Sequence, residues 1–149
     1  MNNIYPLWWS DIITVYNKYE DQLTHMVSWY RTIIDGAFWK YVGDSVKVGE
    51  TVLDTNSIIC RIRKDDRFLE PYVWQALAAE EKANHFTLQG GDIIIHGGVS
   101  DEVDEYTSGH RSTDLVQKYK DLLGCMEIER VAINVGIGRG QEHYLAKGI

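Results

Sequence analysis

The feature that most constrains this chain is a long β-type run at residues 27–42. It carries Trp29, Tyr30, Ile33, Ile34, Phe38, Trp39 and Tyr41 and is interrupted once, by Asp35-Gly36. Asp-Gly is a hairpin signal, but a lone glycine inside a strand also marks a bulge, and a bulge lets one long strand bend around a small barrel. We read a bulge. Residues 11–18 alternate as well, with Ile13, Val15 and Asn17 on one face and Ile12, Thr14 and Tyr16 on the other. Both faces are partly apolar, which suits a strand covered on both sides in a closed or sandwiched sheet.

The rest of the chain fits around these two strands. Residues 19–26 are polar and read as a loop. Shorter strands are predicted at 46–52 and 57–63, joined by Leu53-Asp54-Thr55-Asn56. Pro71 suits the first position of a helix over 71–82, whose alanine-rich body favours helix and whose Tyr72, Val73, Ala76 and Leu77 share one stripe. Residues 86–88 and 92–96 read as strands around Gln89-Gly90-Gly91. A polar excursion covers 97–112. Ser112-Thr113-Asp114 opens a second helix to residue 123, with Gly124 as its stop. A last strand spans 125–135, and the glycine-rich stretch 136–140 leads to the end.

The fold expected is mainly β: a small antiparallel β-barrel or sandwich with two short helices and extended terminal arms. The arms are residues 1–10 and 136–149, flanking a domain over 11–135. The expected core contains Trp29, Ile33, Phe38, Ile58, Leu77, Ile94, Leu122 and Ile133. With 149 residues the chain can bury a core without disulfides or metals. Cys60 and Cys125 sit in apolar settings and read as buried free thiols, although spacing alone leaves a disulfide open.

Charge excludes one class of partner. The net charge is −7, and the basic run Arg61, Arg63, Lys64, Arg67 is broken by Asp65, Asp66 and Glu70. A protein that grips DNA neutralises phosphates with a basic face, so at most passive contact with DNA is expected. No apolar run has the length of a membrane span. The opening residues lack the basic and apolar regions of a signal peptide, which predicts a protein that stays in the cytoplasm until assembled.

Motifs that carry chemistry are largely missing from the sequence. Gly136-Ile137-Gly138-Arg139-Gly140 matches neither phosphate-loop spacing. His25, His85, His96, His110 and His143 form no i,i+4 pair or metal-ligand pattern. Cys125 follows a helix instead of opening one, so nothing obvious activates its thiol. No catalytic residue, cofactor or metal is therefore expected, and replacing His96 or Cys125 with alanine should alter stability at most. Asp101, Glu102, Asp104 and Glu105 form the densest acidic cluster but lack the EF-hand pattern.

Four stretches together carry a resemblance: residues 13–18, reading ITVYNK; 29–39, reading WYRTIIDGAFW; 85–97, reading HFTLQGGDIIIHG; and 143–148, reading HYLAKG. Their order and spacing resemble small structural proteins, usually described as minor capsid proteins, of tailed phages and prophages of Gram-positive hosts. The layout is also similar to head-closure (stopper) and head–tail joining proteins, which are β-barrels that form rings below the portal. The helix at 71–82 and the length of chain beyond Val135 depart from the usual stopper pattern.

The resemblance implies a non-enzymatic virion protein of the neck, a homo-oligomeric ring subunit that meets portal or adaptor proteins and tail-completion or tail-tube proteins. The competing readings are a tail terminator, a capsid-associated protein or a monomeric ligand-binding β-barrel. Within the ring reading, Trp8 and Trp9 in the first arm and Tyr144 and Leu145 in the second are the candidate subunit contacts. The carboxylates of Asp101, Glu102, Asp104 and Glu105 are candidates to face the DNA channel or a partner ring, where like charge would keep phosphate from sticking.

Overall fold

A computed structural model of the chain describes residues 8–49, 51–134 and 142–149, with backbone alone over 44–48 and 51–56 and at 134. The expected strand end at Val135, the glycine-rich stretch 136–140 and most of the 1–10 arm lie outside the described residues.

Six strands close into an antiparallel barrel. They are β1 (Asp11–Glu20), β2 (Val27–Val48), β3 (Thr51–Arg63), β4 (Ile93–Ile95), β5 (Cys125–Asn134) and β6 (His143–Gly148), and their order around the barrel is β1-β2-β3-β6-β5-β4. Three short helices interrupt the strands: α1 (Pro71–Gln75), α2 (Ala79–Asn84) and α3 (Ser112–Tyr119). Closure leaves the barrel strands few unpaired edges and gives each an inner and an outer face.

The long strand β2 makes this closure possible. Its first half pairs with β1, and its second half pairs with β3. The changeover is the expected bulge: Asp11 pairs with Ala37 and Ile13 with Ile34, so β2 carries one extra residue there. Gly36 lies at φ +73°, and a Cβ on it would come within 2.9 Å of the Arg63 side chain. The extra residue reverses which alternate side chains point inward. Ile34 is buried before the bulge; Ala37 and Trp39 are buried after it.

That reversal corrects part of the expected core. Ile58 and Ile94 are buried, while Trp29, Phe38, Leu77 and Ile133 are only half-buried. Ile33 is 46% exposed because it precedes the inward Ile34, and a one-residue offset moves a side chain to the opposite face. Leu122 is 68% exposed because α3 ends at Tyr119, short of the predicted residue 123. Gly124, at φ +102°, still terminates the turn that follows.

Two apolar clusters result. Inside the barrel, Ile13, Val15, Ile34, Trp39, Ile94 and Met126 pack together. On the outside, Tyr16, Ile93, Ile95 and Cys125 pack against Leu115 and Tyr119 of α3. Adjacent residues of β1 and β4 therefore feed opposite clusters, which explains why both faces of 11–18 are apolar.

Three further expectations are corrected. The strands at 46–52 and 57–63 are not separate: residues 53–56 pair with Gly43–Val46 across the hairpin, and the turn falls at Gly49, at φ +63°. Since β6 meets β3 only from Ile58 onward, the pairs from Gly43↔Asn56 to Val48↔Thr51 continue as a two-stranded ribbon past the barrel. The helix at 71–82 is split into α1 and α2 by an extended Ala78. The C-terminal arm of 136–149 is, over His143–Gly148, a barrel strand hydrogen-bonded to β3 on one side and β5 on the other.

Candidate functional site: a buried polar seam and the barrel surfaces

Polar side chains buried in strands need partners inside the protein. β1 carries two. Thr14 donates its hydroxyl to the Gly97 carbonyl (2.7 Å) and accepts from the Val99 N–H (3.0 Å). Asn17 donates to the Thr87 carbonyl (2.6 Å) and accepts from the Thr87 N–H (3.2 Å). Each mimics a missing stretch of backbone ladder, because β4 pairs with β1 only from Thr14 to Tyr16. Together they fasten residues 86–99 along β1.

Asp92 sits where these ties converge and is fully buried. One carboxylate oxygen accepts from Asn17 Nδ2 (2.7 Å) and the Gln89 N–H (3.2 Å). The other accepts from the Lys18 N–H (2.9 Å) and Gln89 Nε2 (3.2 Å). All four donors are neutral. Burial pushes the carboxyl up to about 7 despite them, because hydrogen bonds from neutral groups do not replace the lost hydration of a charge.

A second buried charge lies nearby. The Lys82 ammonium donates to the Gln75 carbonyl (3.0 Å) and to the Leu77 carbonyl, and stands 4.2 Å from the Tyr19 ring centre. It takes up carbonyls left open where α1 ends, and so offsets the break of 71–82 into two helices. Desolvation lowers the Lys82 pKa.

At one end of the barrel a cavity of about 540 Å³ is lined by Tyr41, Ile58, Lys120, Asp121, Cys125 and Ile149, among others. Burial, then Glu127, pushes the Cys125 thiol up to about 12, which keeps it protonated and a poor nucleophile. Cys60 is buried and shifted upward too, and both thiols are free. Near this end the His96 ring stacks on Trp39 (centres 5.0 Å apart), with Nε2 3.5 Å from one oxygen of Asp11. The other Asp11 oxygen accepts the Trp39 backbone N–H at 3.0 Å. Asp11 thus joins the start of β1 to β2 and orients the imidazole. Among the described residues, no group of three His, Cys, Asp or Glu side chains could hold a metal ion.

Of the two expected arms, Trp9 and strand β6, which lie among the described residues, pack on their own barrel. Trp8 is 65% exposed, whereas Trp9 is buried, stacked on Phe38 and edge-on to His143. The Arg63 guanidinium donates to the Trp9 carbonyl at 2.8 Å. Tyr144 is buried on β6 and stacks on Phe68 at 4.1 Å; Leu145, beside it, is half-buried.

The acidic excursion is also fastened down. Asp101 accepts from Lys118 (2.7 Å) and from the Tyr119 hydroxyl, and its carbonyl accepts from Tyr16 (2.8 Å). Burial works against its ionisation, but Lys118 and Tyr119 outweigh it and hold the carboxyl below its usual range. Asp104 accepts from the Tyr106 N–H and the Thr107 hydroxyl, and the first of these leads in lowering its pKa. Glu105 accepts from Trp29 Nε1 (3.1 Å) and the Ser112 N–H (2.8 Å). Glu102, 3.4 Å from Arg31, and Asp104 are the exposed members. Asp101 and Glu105 therefore hold the excursion and α3 on the barrel, while Asp104 closes a turn within the excursion.

Sequence reasoning placed Asn17 on a strand face and Asp92 in a strand without giving either a task. The available signal was their position in the stretches 13–18 and 85–97: a lone amide and a lone carboxylate among apolar β residues each require a buried partner.

The fold defines a closed, six-stranded antiparallel β-barrel protein with a polar seam. The chain belongs to a family of unknown function, DUF6751, which matches residues 10–148. No curated protein and no solved structure matches the chain. No helix among the described residues is long and apolar enough to cross a membrane.

Proposed function

We propose that this chain is a structural protein of a tailed phage, a ring subunit of the head–tail connector that acts in head closure or in an adjacent completion step. The observation that carries the reading is the β2–β3 ribbon, which leaves a closed barrel at Gly43 and returns at Asn56. A rigid barrel with a two-stranded extension suits a repeating assembly, because backbone groups on the ribbon's outer edges can pair with a neighbour. Its partners would be further copies of itself, the portal or adaptor, and tail-completion or tail-tube proteins, with passing DNA touched only passively. The protein would reside in the host cytoplasm before assembly and at the virion neck afterwards. Glu102, whose side chain is 85% exposed beside Arg31, is the carboxylate best placed to face a channel or partner ring, since Asp101 and Glu105 are engaged with α3 and the barrel and Asp104 closes a local turn.

The cavity of about 540 Å³ favours a second reading, a monomeric ligand-binding barrel. Mass spectrometry of purified virions, with electron microscopy of the purified protein alone and mixed with portal protein, separates the two. The neck reading expects the chain in virions at fixed stoichiometry and rings in the mixture. A chain absent from virions and monomeric in every mixture sinks it.

A further inference from the structure

Four donors surround the Asp92 carboxylate, and three of them cannot reverse. The Lys18 and Gln89 N–H groups belong to the backbone. The Asn17 amide is held by Thr87 at both ends, so turning it would break two buried hydrogen bonds. Only the Gln89 side-chain amide can present its oxygen instead. That amide is the inner end of a chain: Gln89 Oε1 accepts from Gln75 Nε2 at 2.9 Å, and Gln75 ends α1. Both amide nitrogens also donate to the Lys18 carbonyl of β1, at 2.8 Å from Gln89 and 3.4 Å from Gln75.

We propose that Asp92, Gln89 and Gln75 form a proton-responsive latch in which protonation of the buried carboxylate reverses both glutamine amides and frees the Lys18 carbonyl, loosening α1 from β1. The proton comes from solvent and adds to the oxygen facing Gln89. The Gln89 amide then rotates so that Oε1 accepts the new O–H. Its nitrogen now faces Gln75 Nε2, a donor against a donor, and Gln75 rotates in turn. Neither nitrogen still points at Lys18, so the direct tie between α1 and β1 is exchanged for the chain Asp92–Gln89–Gln75.

Among the described residues, no charged side chain that faces Asp92 competes for that proton. β1 brings Lys18, whose side chain is exposed, and Tyr19; β5 brings Glu127, also exposed. The segment around Asp92 supplies Thr87 and Gln89, with His85 turned to the Glu81 carbonyl. α1 brings Tyr72, which is exposed, and α2 brings Lys82, whose ammonium is held by the Gln75 and Leu77 carbonyls.

The test is nuclear magnetic resonance of the full chain between about pH 5 and 8, the range set by a carboxyl lifted toward neutrality. The Asp92 carboxyl carbon and the side-chain amide nitrogens of Gln89 and Gln75 are expected to move with one shared midpoint. Gln75→Ala removes the second reversal and should raise that midpoint by about 0.5 pH unit, a threefold gain in proton affinity. Asp92→Asn should abolish the pH dependence of both amide signals; if it does not fold, the native chain and Gln75→Ala decide. An Asp92 carbon that does not titrate in this range overturns the proposal. So does one that titrates while the amides stay still, or a midpoint that Gln75→Ala leaves unchanged or lowers.

Discussion

The Asn17 side-chain amide donates to the Asp92 carboxylate at 2.7 Å while its other contacts occupy both backbone groups of Thr87. One side chain thus closes the seam between β1 and the segment that leads into β4. Replacing it with leucine would strand the Thr87 N–H and C=O and remove a donor from a buried carboxylate. Each unpaired buried group costs about 1–3 kcal/mol, so Asn17→Leu should lower the unfolding free energy by at least about 3 kcal/mol. Urea unfolding followed by tryptophan fluorescence measures it, and a loss under 1 kcal/mol would mean that the seam contributes little.

Asp92 sets a pH dependence of defined sign. Its folded-state pKa, about 7, lies above the ordinary value of 3.8, so the folded barrel binds a proton that the unfolded chain releases between those values. The stability linked to it is present at pH 5 and is lost as pH rises through about 7. The carboxyls held low, at Asp65, Asp101 and Glu105, act in the opposite sense and only in more acid solution. The denaturation midpoint should therefore rise from pH 8 to pH 5, with an Asp92 contribution of roughly 2 kcal/mol. Asp92→Asn should flatten that slope. An equally steep slope in the variant would assign the effect elsewhere.

Among the described glycines, Gly148 leaves the least room for a side chain. A Cβ there would stand 1.9 Å from the Glu127 carbonyl oxygen. Gly148→Ala must push β6 away from β5, and overpacking at a well-packed site costs about 1–3 kcal/mol. Thermal unfolding should show a clear drop; an unchanged midpoint would show that these strands can part at no cost.

Lys82 holds the ends of α1 and α2 together. Lys82→Met keeps the aliphatic stem but leaves the Gln75 and Leu77 carbonyls without their ammonium. A loss of about 1–3 kcal/mol is expected, with faster amide hydrogen exchange confined to residues 71–84. Exchange that speeds up across the whole barrel would contradict a local role.

Both thiols should be slow to react. Burial raises Cys60 and Cys125 well above the ordinary thiol range, and the thiolate is the reactive form. At pH 8 a disulfide reagent should label neither within minutes in the native protein and both at once in denaturant. Immediate labelling of native Cys125 would mean that the barrel-end cavity activates it.

The alternation of apolar residues made the barrel strands legible, and Gly36 announced the bulge. The inward set around it was not legible, because one extra residue inverts the alternation and the sequence does not say at which residue the inversion begins. Ile33 and Ile34 are equally apolar, and only pairing with β1 decides between them. The β2–β3 turn was misplaced because Asp54 and Asn56 are turn formers by composition, yet here they lie in a ladder. His143–Gly148 read as an arm because glycines precede it, although its alternating Tyr144 and Ala146 are what the barrel buries. The acidic residues 101–105 are visible as a cluster; that Asp101 and Glu105 face their own chain depends on Lys118 and Trp29, distant in sequence.

The bulged strand β2 has a mechanical side. It runs without a break from Val27 to Val48, bonded to β1 over its first half and to β3 over its second. A pull on the ribbon directed along β2 is thus delivered into the β1 ladder on the far side of Gly36. Hydrogen bonds between antiparallel strands lie perpendicular to them, so a force along the strand loads many of them in parallel instead of parting them one by one. Tension applied to the ribbon is borne by the neighbouring strand β1, beyond the bulge, as a spar carries load through a hull.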